Sequence, residues 1–207
     1  MASAPSASNM DTEYPVTEGK TTGRRHLHTR SVTCDGFLRD DGLWEVEAWL
    51  RDIKPFHQPA SQFRGELKPG DPVHDIGLRL AIDDGMTIHE AEAMMRGTPY
   101  PTCIDVEEIF GRMVGVRVGP GWRKVAQSRI GRVETCTHLM ELLGPAITTL
   151  YQTMSQGKKP ENADPLRDQQ AAGKRPFFLG GCYSWRTDGP IVAAMFPEFA
   201  TKPAGKD

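Results

Sequence analysis

No stretch of the 207-residue chain approaches the roughly 20 consecutive apolar residues that a membrane-spanning helix needs. No basic n-region followed by an apolar run opens it, so a secretory leader is not expected. The four cysteines, Cys34, Cys103, Cys136 and Cys182, form no CxxC pair. That excludes a zinc ribbon and a thioredoxin-type motif. In a chain without an export signal they are expected to be thiols in the reducing cytoplasm. There is no GxGxxG fingerprint and no Walker sequence, hence no sign of a dinucleotide or nucleoside triphosphate site. Excess positive charge is also missing. The net charge is −2, which gives no global basic field for nucleic acid or an anionic membrane.

What is present reads as one α+β domain over residues 26–197, between a disordered leader at 1–25 and a flexible tail at 198–207. His28 to Leu38 is rich in β-compatible residues, Asp40-Asp41-Gly42 is a turn signal, and Leu43 to Ile53 returns. In the return strand Trp44, Val46, Ala48 and Leu50 share one face, a period of two that argues strand. A second hairpin runs from Val73 to Ile82, turns at Asp83-Asp84-Gly85, and returns from Met86 to Met95. Together they predict an antiparallel meander of about four strands. The period then changes. Short helices are expected at 104–114 and 122–129, and a long one from Thr137 to Met154 with an apolar stripe of Leu139, Leu142, Leu143, Ala146, Ile147 and Leu150. Pro145 lies inside it and should kink it. Strands first and helices after imply helices packed on one face of the sheet. A polar connection at 155–176 leads to an apolar segment, 176–192, expected to pack back as one more extended piece. Arg30 and Glu47 are expected to pair across the first two strands.

Polar residues on core-facing positions mark where chemistry can sit. His74 shares the parity of Ile76, Leu78, Leu80 and Ile82 and projects from the core face at its rim. Asp75 points the other way unless a bulge intervenes. His138 lies in the first turn of the long helix at the edge of its buried face, and Glu141 shares that edge three residues on. Cys136 precedes the helix, where the N-terminal dipole favours a thiolate. Cys103 follows the rigid Pro99-Tyr100-Pro101 approach and opens the 104–114 helix. Three element starts carrying His74, Cys103 and His138 would, on converging at one end of the sheet, form a three-point centre with an open position, suited to zinc or ferrous iron. Cys136 is a fourth candidate ligand. Each of these residues taken singly is also compatible with a hydrogen-bonded core residue. Trp122 and Gly119-Pro-Gly read as a turn with an aromatic anchor. Tyr183 and Trp185 roof a pocket or close the core.

The motifs His28-Thr-Arg30, Arg39-Asp-Asp-Gly-Leu-Trp44, His74-Asp75, Gly119-Pro-Gly-Trp122 and Cys136-Thr-His138-Leu-Met-Glu141-Leu-Leu-Gly-Pro145 resemble a bacterial family catalogued as domain of unknown function 2889. The segment Cys182, Trp185, Asp188-Gly189 resembles its C-terminal end, so the likeness spans about 26–197. That family implies no activity. From Val73 to Tyr151 the order of elements is also similar to iron–sulfur scaffolds of the IscU and NifU type, which implies an IscU-like core with an extra N-terminal hairpin. The alignment implied by that likeness places His74 at the scaffold's ligating aspartate, Cys103 at its second cysteine and His138 at its histidine. Its first and third cysteines fall on Pro72 and Leu139. Loss of two thiolates disfavours a cluster and favours a mononuclear centre.

These readings lead to three expectations. The first is a metal-dependent enzyme of lyase or hydrolase type, with a divalent zinc or iron ion as Lewis acid and Asp75 or Glu141 as acid/base group. Its substrate would be a small, partly apolar or aromatic molecule held among Tyr100, Trp122, Tyr183 and Trp185. The second is a metal or iron–sulfur carrier, and the third a non-catalytic binding module. Neither nucleic acid nor membrane is an expected partner, and a homo-oligomer is left open.

Overall fold

The structure, a computed structural model, describes residues 23–131, 133–155, 157–158, 170–171, 173–176 and 178–201. Most of the expected leader, most of the 155–176 connection and the end of the tail lie outside the described residues.

Four strands form one open antiparallel sheet in the order β1-β2-β3-β4, with β1 at Thr29–Leu38, β2 at Trp44–Ile53, β3 at Pro72–Ile82 and β4 at Ile88–Gly97. The first hairpin closes where the sequence signals it. Gly42 takes φ 86° and donates its N–H to the Arg39 carbonyl at 3.0 Å, a left-handed position that glycine occupies at little cost. The second turn extends further than expected. The Asp83 N–H reaches the Thr87 carbonyl, and the Asp83 carboxylate accepts the Thr87 N–H at 2.9 Å. Residues 83–87 are thereby committed to the turn, and β4 starts at Ile88 rather than Met86.

Among the described residues, the helices are α1 (Val106–Phe110), flanked by 3₁₀ turns, α2 (Trp122–Ile130), α3 (Thr137–Ser155) and α4 (Pro190–Met195). α3 runs unbroken through Pro145, whose ring is on the exposed side. It crosses β1, β2 and β3, while α1 packs on β4. The alternating residues of the strands and the helical stripe meet in one core. Trp44, Val46, Ala48 and Leu50 of β2 and Ile76, Leu78, Leu80 and Ile82 of β3 join Leu139, Leu142, Leu143, Ala146, Ile147 and Leu150 of α3. The fold is thus α+β, a meander with α1, α2 and α3 feeding one core.

Three further expectations are corrected. The described residues of the 176–192 segment add no strand to the sheet. Gly180 (φ 83°) accepts a turn geometry, its N–H bonds the Trp185 carbonyl at 2.7 Å, and the Gly181 N–H bonds that of Phe178. The segment therefore folds on itself around Leu179, Val192 and Phe196, with Phe178, Trp185 and Phe199 packed against them. Residues 198–201 belong to that cluster rather than to a free tail, since the Thr201 N–H bonds the Thr187 carbonyl at 2.8 Å. Arg30 does not pair with Glu47 either. The register sets Glu47 opposite Asp35, and Arg30 opposite Asp52.

The contact of β1 with α3 depends on one small residue. A Cβ built on Gly36 would lie 1.8 Å from the Thr153 hydroxyl oxygen. Gly36→Ala is expected to destabilise the fold by about 1–3 kcal/mol through overpacking. A Gly36→Ala/Thr153→Ala pair should recover part of that loss, as read from urea denaturation midpoints of the single and double variants.

Candidate metal centre

The apolar alternation of β2 does not stop at Leu50. Asp52 has the same parity and is only 1% exposed, so a carboxylate enters the core face at the end of the strand. Such a group requires partners. Strand register supplies them, because Asp52 stands opposite Arg30 on β1 and opposite His74 on β3. His28, just before β1, and His138, in the first turn of α3, complete the surroundings.

Each Asp52 oxygen receives two bonds. Arg30 Nε and Nη2 bind Oδ1 and Oδ2, both at 2.8 Å. His28 Nε2 binds Oδ1 at 2.9 Å, and His74 Nδ1 binds Oδ2 at 2.9 Å. An ionised carboxylate only accepts, so these are the protonated nitrogens of the two rings. A neutral His74 then keeps its lone pair on Nε2. Above it, the His138 ring lies 4.1 Å from the His74 ring, centroid to centroid, with His138 Nε2 4.0 Å from Asp52 Oδ2. The other His138 nitrogen, Nδ1, is 3.6 Å from Cys136 Sγ. The third arm of Arg30, Nη1, reaches Glu141 at 2.6 Å and ties α3 to the sheet edge.

The charges set the protonation states. Burial opposes ionisation of Asp52, but the hydrogen bonds and charge of Arg30, with the bonds from His74 and His28, outweigh it and hold the carboxyl well below the usual range. His138 is also pushed down, first by its own burial and then by unfavourable electrostatics from the neighbouring His74 ring and the Arg30 guanidinium. It is therefore neutral at physiological pH, the form that ligates metals.

One atom from each of Asp52, His74 and His138 lies within 4.8 Å of the others, the one group among the described residues able to hold a metal ion. Two of its three members are thus expected ligands, His74 and His138. Cys103 and Cys136 are not members. Cys103 sits in the 3₁₀ turn Pro101–Asp105 and packs against the core. Cys136 stands on the far nitrogen of His138. Of the two acid/base candidates, Glu141 touches the centre through Arg30, whereas Asp75 pairs with Arg51 and Gly97 in the ladder and takes no part in it. The four aromatic residues do not converge. Trp122 lines a cleft with Glu141 between α2 and α3. Tyr100 is 54% exposed, edge-on to Phe63. Tyr183 is exposed beside Arg186, and Trp185 belongs to the C-terminal cluster.

Asp52, Arg30 and His28 were missed as site residues. The period-two pattern carried on to Asp52 in plain view, but reading it as a site residue required knowing that β1 and β3 flank β2 and present a guanidinium and an imidazole at that level.

A family model described as "Protein of unknown function (DUF2889)" matches residues 28–152, more than half of the chain. The chain belongs to that family. The matched region spans the four strands and most of α3, so the whole Asp52 cluster is inside it, whereas the C-terminal cluster at 178–200 lies beyond. No curated protein and no solved structure matches the chain. None of the described helices is long and apolar enough to cross a membrane.

Two stability effects follow, both in the presence of a chelator. Asp52→Asn should cost about 3 kcal/mol at pH 7, the low end for a broken buried pair because Arg30 and His28 keep some water contact. The second concerns pH. The His138 folded-state pKa is depressed, so the unfolded chain takes up the proton first, and stability falls as pH drops through about 6.5. His138→Gln should reduce the loss of urea midpoint between pH 7.5 and pH 5.5. An equal loss in both proteins would refute the stated environment of His138.

Proposed function

We propose that the chain is a metal-dependent enzyme of lyase or hydrolase type acting on a small, partly apolar or aromatic molecule. The observation that carries this reading is the convergence of Asp52, His74 and His138 at the end of the sheet. Two imidazoles and one carboxylate are a donor set suited to zinc or ferrous iron. An ion held by Asp52 would have to displace one of its four N–H donors or take the place of the His74 Nδ1 proton. Binding at His74 Nε2 leaves the Asp52–His74 pair intact as the partner that orients the ligand. Either way metal and proton compete, and the depressed proton affinity of His138 favours the metal.

A bound divalent ion would supply Lewis acidity toward a substrate oxygen. The residues of the chain do the rest. Arg30 fixes Asp52 and holds Glu141 at the edge of the neighbouring cleft. Glu141, more than half exposed at its side chain and lining that cleft, would exchange protons with a ligand there.

Saturation of Asp52 by four N–H donors favours a second reading, in which the histidines only complete a hydrogen-bonded network and the protein is a binding module. A carrier of iron–sulfur clusters, the role that a likeness to IscU and NifU scaffolds would bring, has less support. Cys136 is the only thiol placed against a member of the ligand group, and cluster ligation favours several.

Elemental analysis of protein purified without chelators separates these readings. About one zinc or iron per chain is expected, lost in His74→Ala and in His138→Ala and retained in Cys103→Ser. Metal content unchanged by both histidine substitutions would leave the network reading standing. An absorption band of sulfide-bridged iron after anaerobic reconstitution would turn the case toward a carrier.

A further inference from the structure

The metal-centre reading uses Glu141 but leaves the cleft beside it unexplained. That cleft, about 380 Å³, lies between α2 and α3. Its size is at the lower end for small-molecule sites, enough for a ligand of about one ring. Its apolar walls are Trp122 and Ala126 from α2, and Met140 and Leu143 from α3. Its polar groups are unevenly matched. Glu141 is already paired with Arg30 at 2.6 Å. Arg123, on the opposite wall, has no carboxylate and no hydrogen-bond acceptor among the described residues, and its guanidinium lies 5.7 Å from the centroid of the Trp122 ring. The cleft thus contains one committed anion and one uncommitted cation.

The helix opposite makes room for that cation. A Cβ at Gly144 would stand 3.3 Å from Arg123 Nη2, so the glycine lets the guanidinium lie close to the α3 backbone, at the head of the cleft. The planar fork of arginine suits a carboxylate bound through two parallel bonds. The Trp122 face and the Met140 thioether suit a flat or apolar body. One helical turn before Gly144, Glu141 leads back to Arg30 and Asp52, so a ligand anchored on Arg123 would lie beside the group that borders the centre.

We propose that this cleft binds a small organic carboxylate with an apolar or aromatic body, and that Arg123 is its anion anchor. As a statement about the substrate it rests on the metal-centre reading; as a statement about binding it does not.

Benzoate is the probe, with benzamide as its uncharged counterpart and inorganic phosphate as an anion without a body. Each is titrated into the ¹⁵N-labelled full chain, metal-stripped and metal-loaded. Benzoate is expected to shift the Trp122 indole signal and amides of 122–127 and 140–144, and to bind more tightly than benzamide or phosphate. Arg123→Gln should weaken benzoate about tenfold while leaving benzamide unchanged. Arg123→Lys should restore part of the loss, and Trp122→Leu should weaken both aromatic probes. Arg123 is on the surface, so its variants test binding rather than folding. Equal affinity for benzoate and benzamide, benzoate binding indifferent to Arg123→Gln, or phosphate binding as tight as benzoate would each overturn the proposal. Benzoate binding that persists in a His74→Ala protein devoid of metal keeps this assignment separate from the fate of the metal centre.

Discussion

A single buried carboxylate organises this end of the molecule. Asp52 is taken out of water at the last inward-facing position of β2, where an unpaired charge would be costly enough to displace the strand or neutralise the group. Four N–H donors from β1, β3 and the residue preceding β1 prevent both outcomes. Since the donors come from both neighbours of β2, the carboxylate pins the register of three adjacent strands. A slip of one residue in either pairing would leave Asp52 facing an apolar or outward-pointing neighbour.

The same set of bonds carries the sheet's charge over to the long helix. Arg30 divides its guanidinium between Asp52 and Glu141, and His138 lies against the His74 ring. α3 is therefore placed by more than its apolar stripe. Its first turns are fixed on the polar end of the sheet and its later turns on the core. Gly36 beneath Thr153 sets the separation of β1 and α3 at the far end. A polar anchor at one end and a steric one at the other define how the helix crosses the strands.

This arrangement explains why chemistry collects at one corner. Burial lowers the proton affinity of His138 while Arg30 and two histidine N–H groups keep Asp52 ionised, so opposite effects act on groups 4.0 Å apart. Neutral imidazole beside a fixed carboxylate is a state prepared for a cation or a proton, and the cleft between α2 and α3 begins one helical turn away. The C-terminal cluster around Leu179, Val192 and Phe196 lies outside the region matched by the family model and shares no member with the main core.

The strands, the long helix and the part of the core that β2, β3 and α3 share were legible in the sequence, because period-two and period-3.6 patterns are local and each residue's burial follows from its neighbours in the chain. His74 and His138 could be found the same way, as polar residues on apolar faces. Asp52 could not be recognised as their partner, nor Arg30 as its counter-ion, since that depends on which residues the register sets side by side. Likewise Cys103 was equivalent to the histidines as an element start, and only the turn at Pro101–Asp105 decided that its thiol packs on the core. Local pattern determined what each segment is, whereas pairing across strands, a relation between residues far apart in the chain, decided which side chains meet.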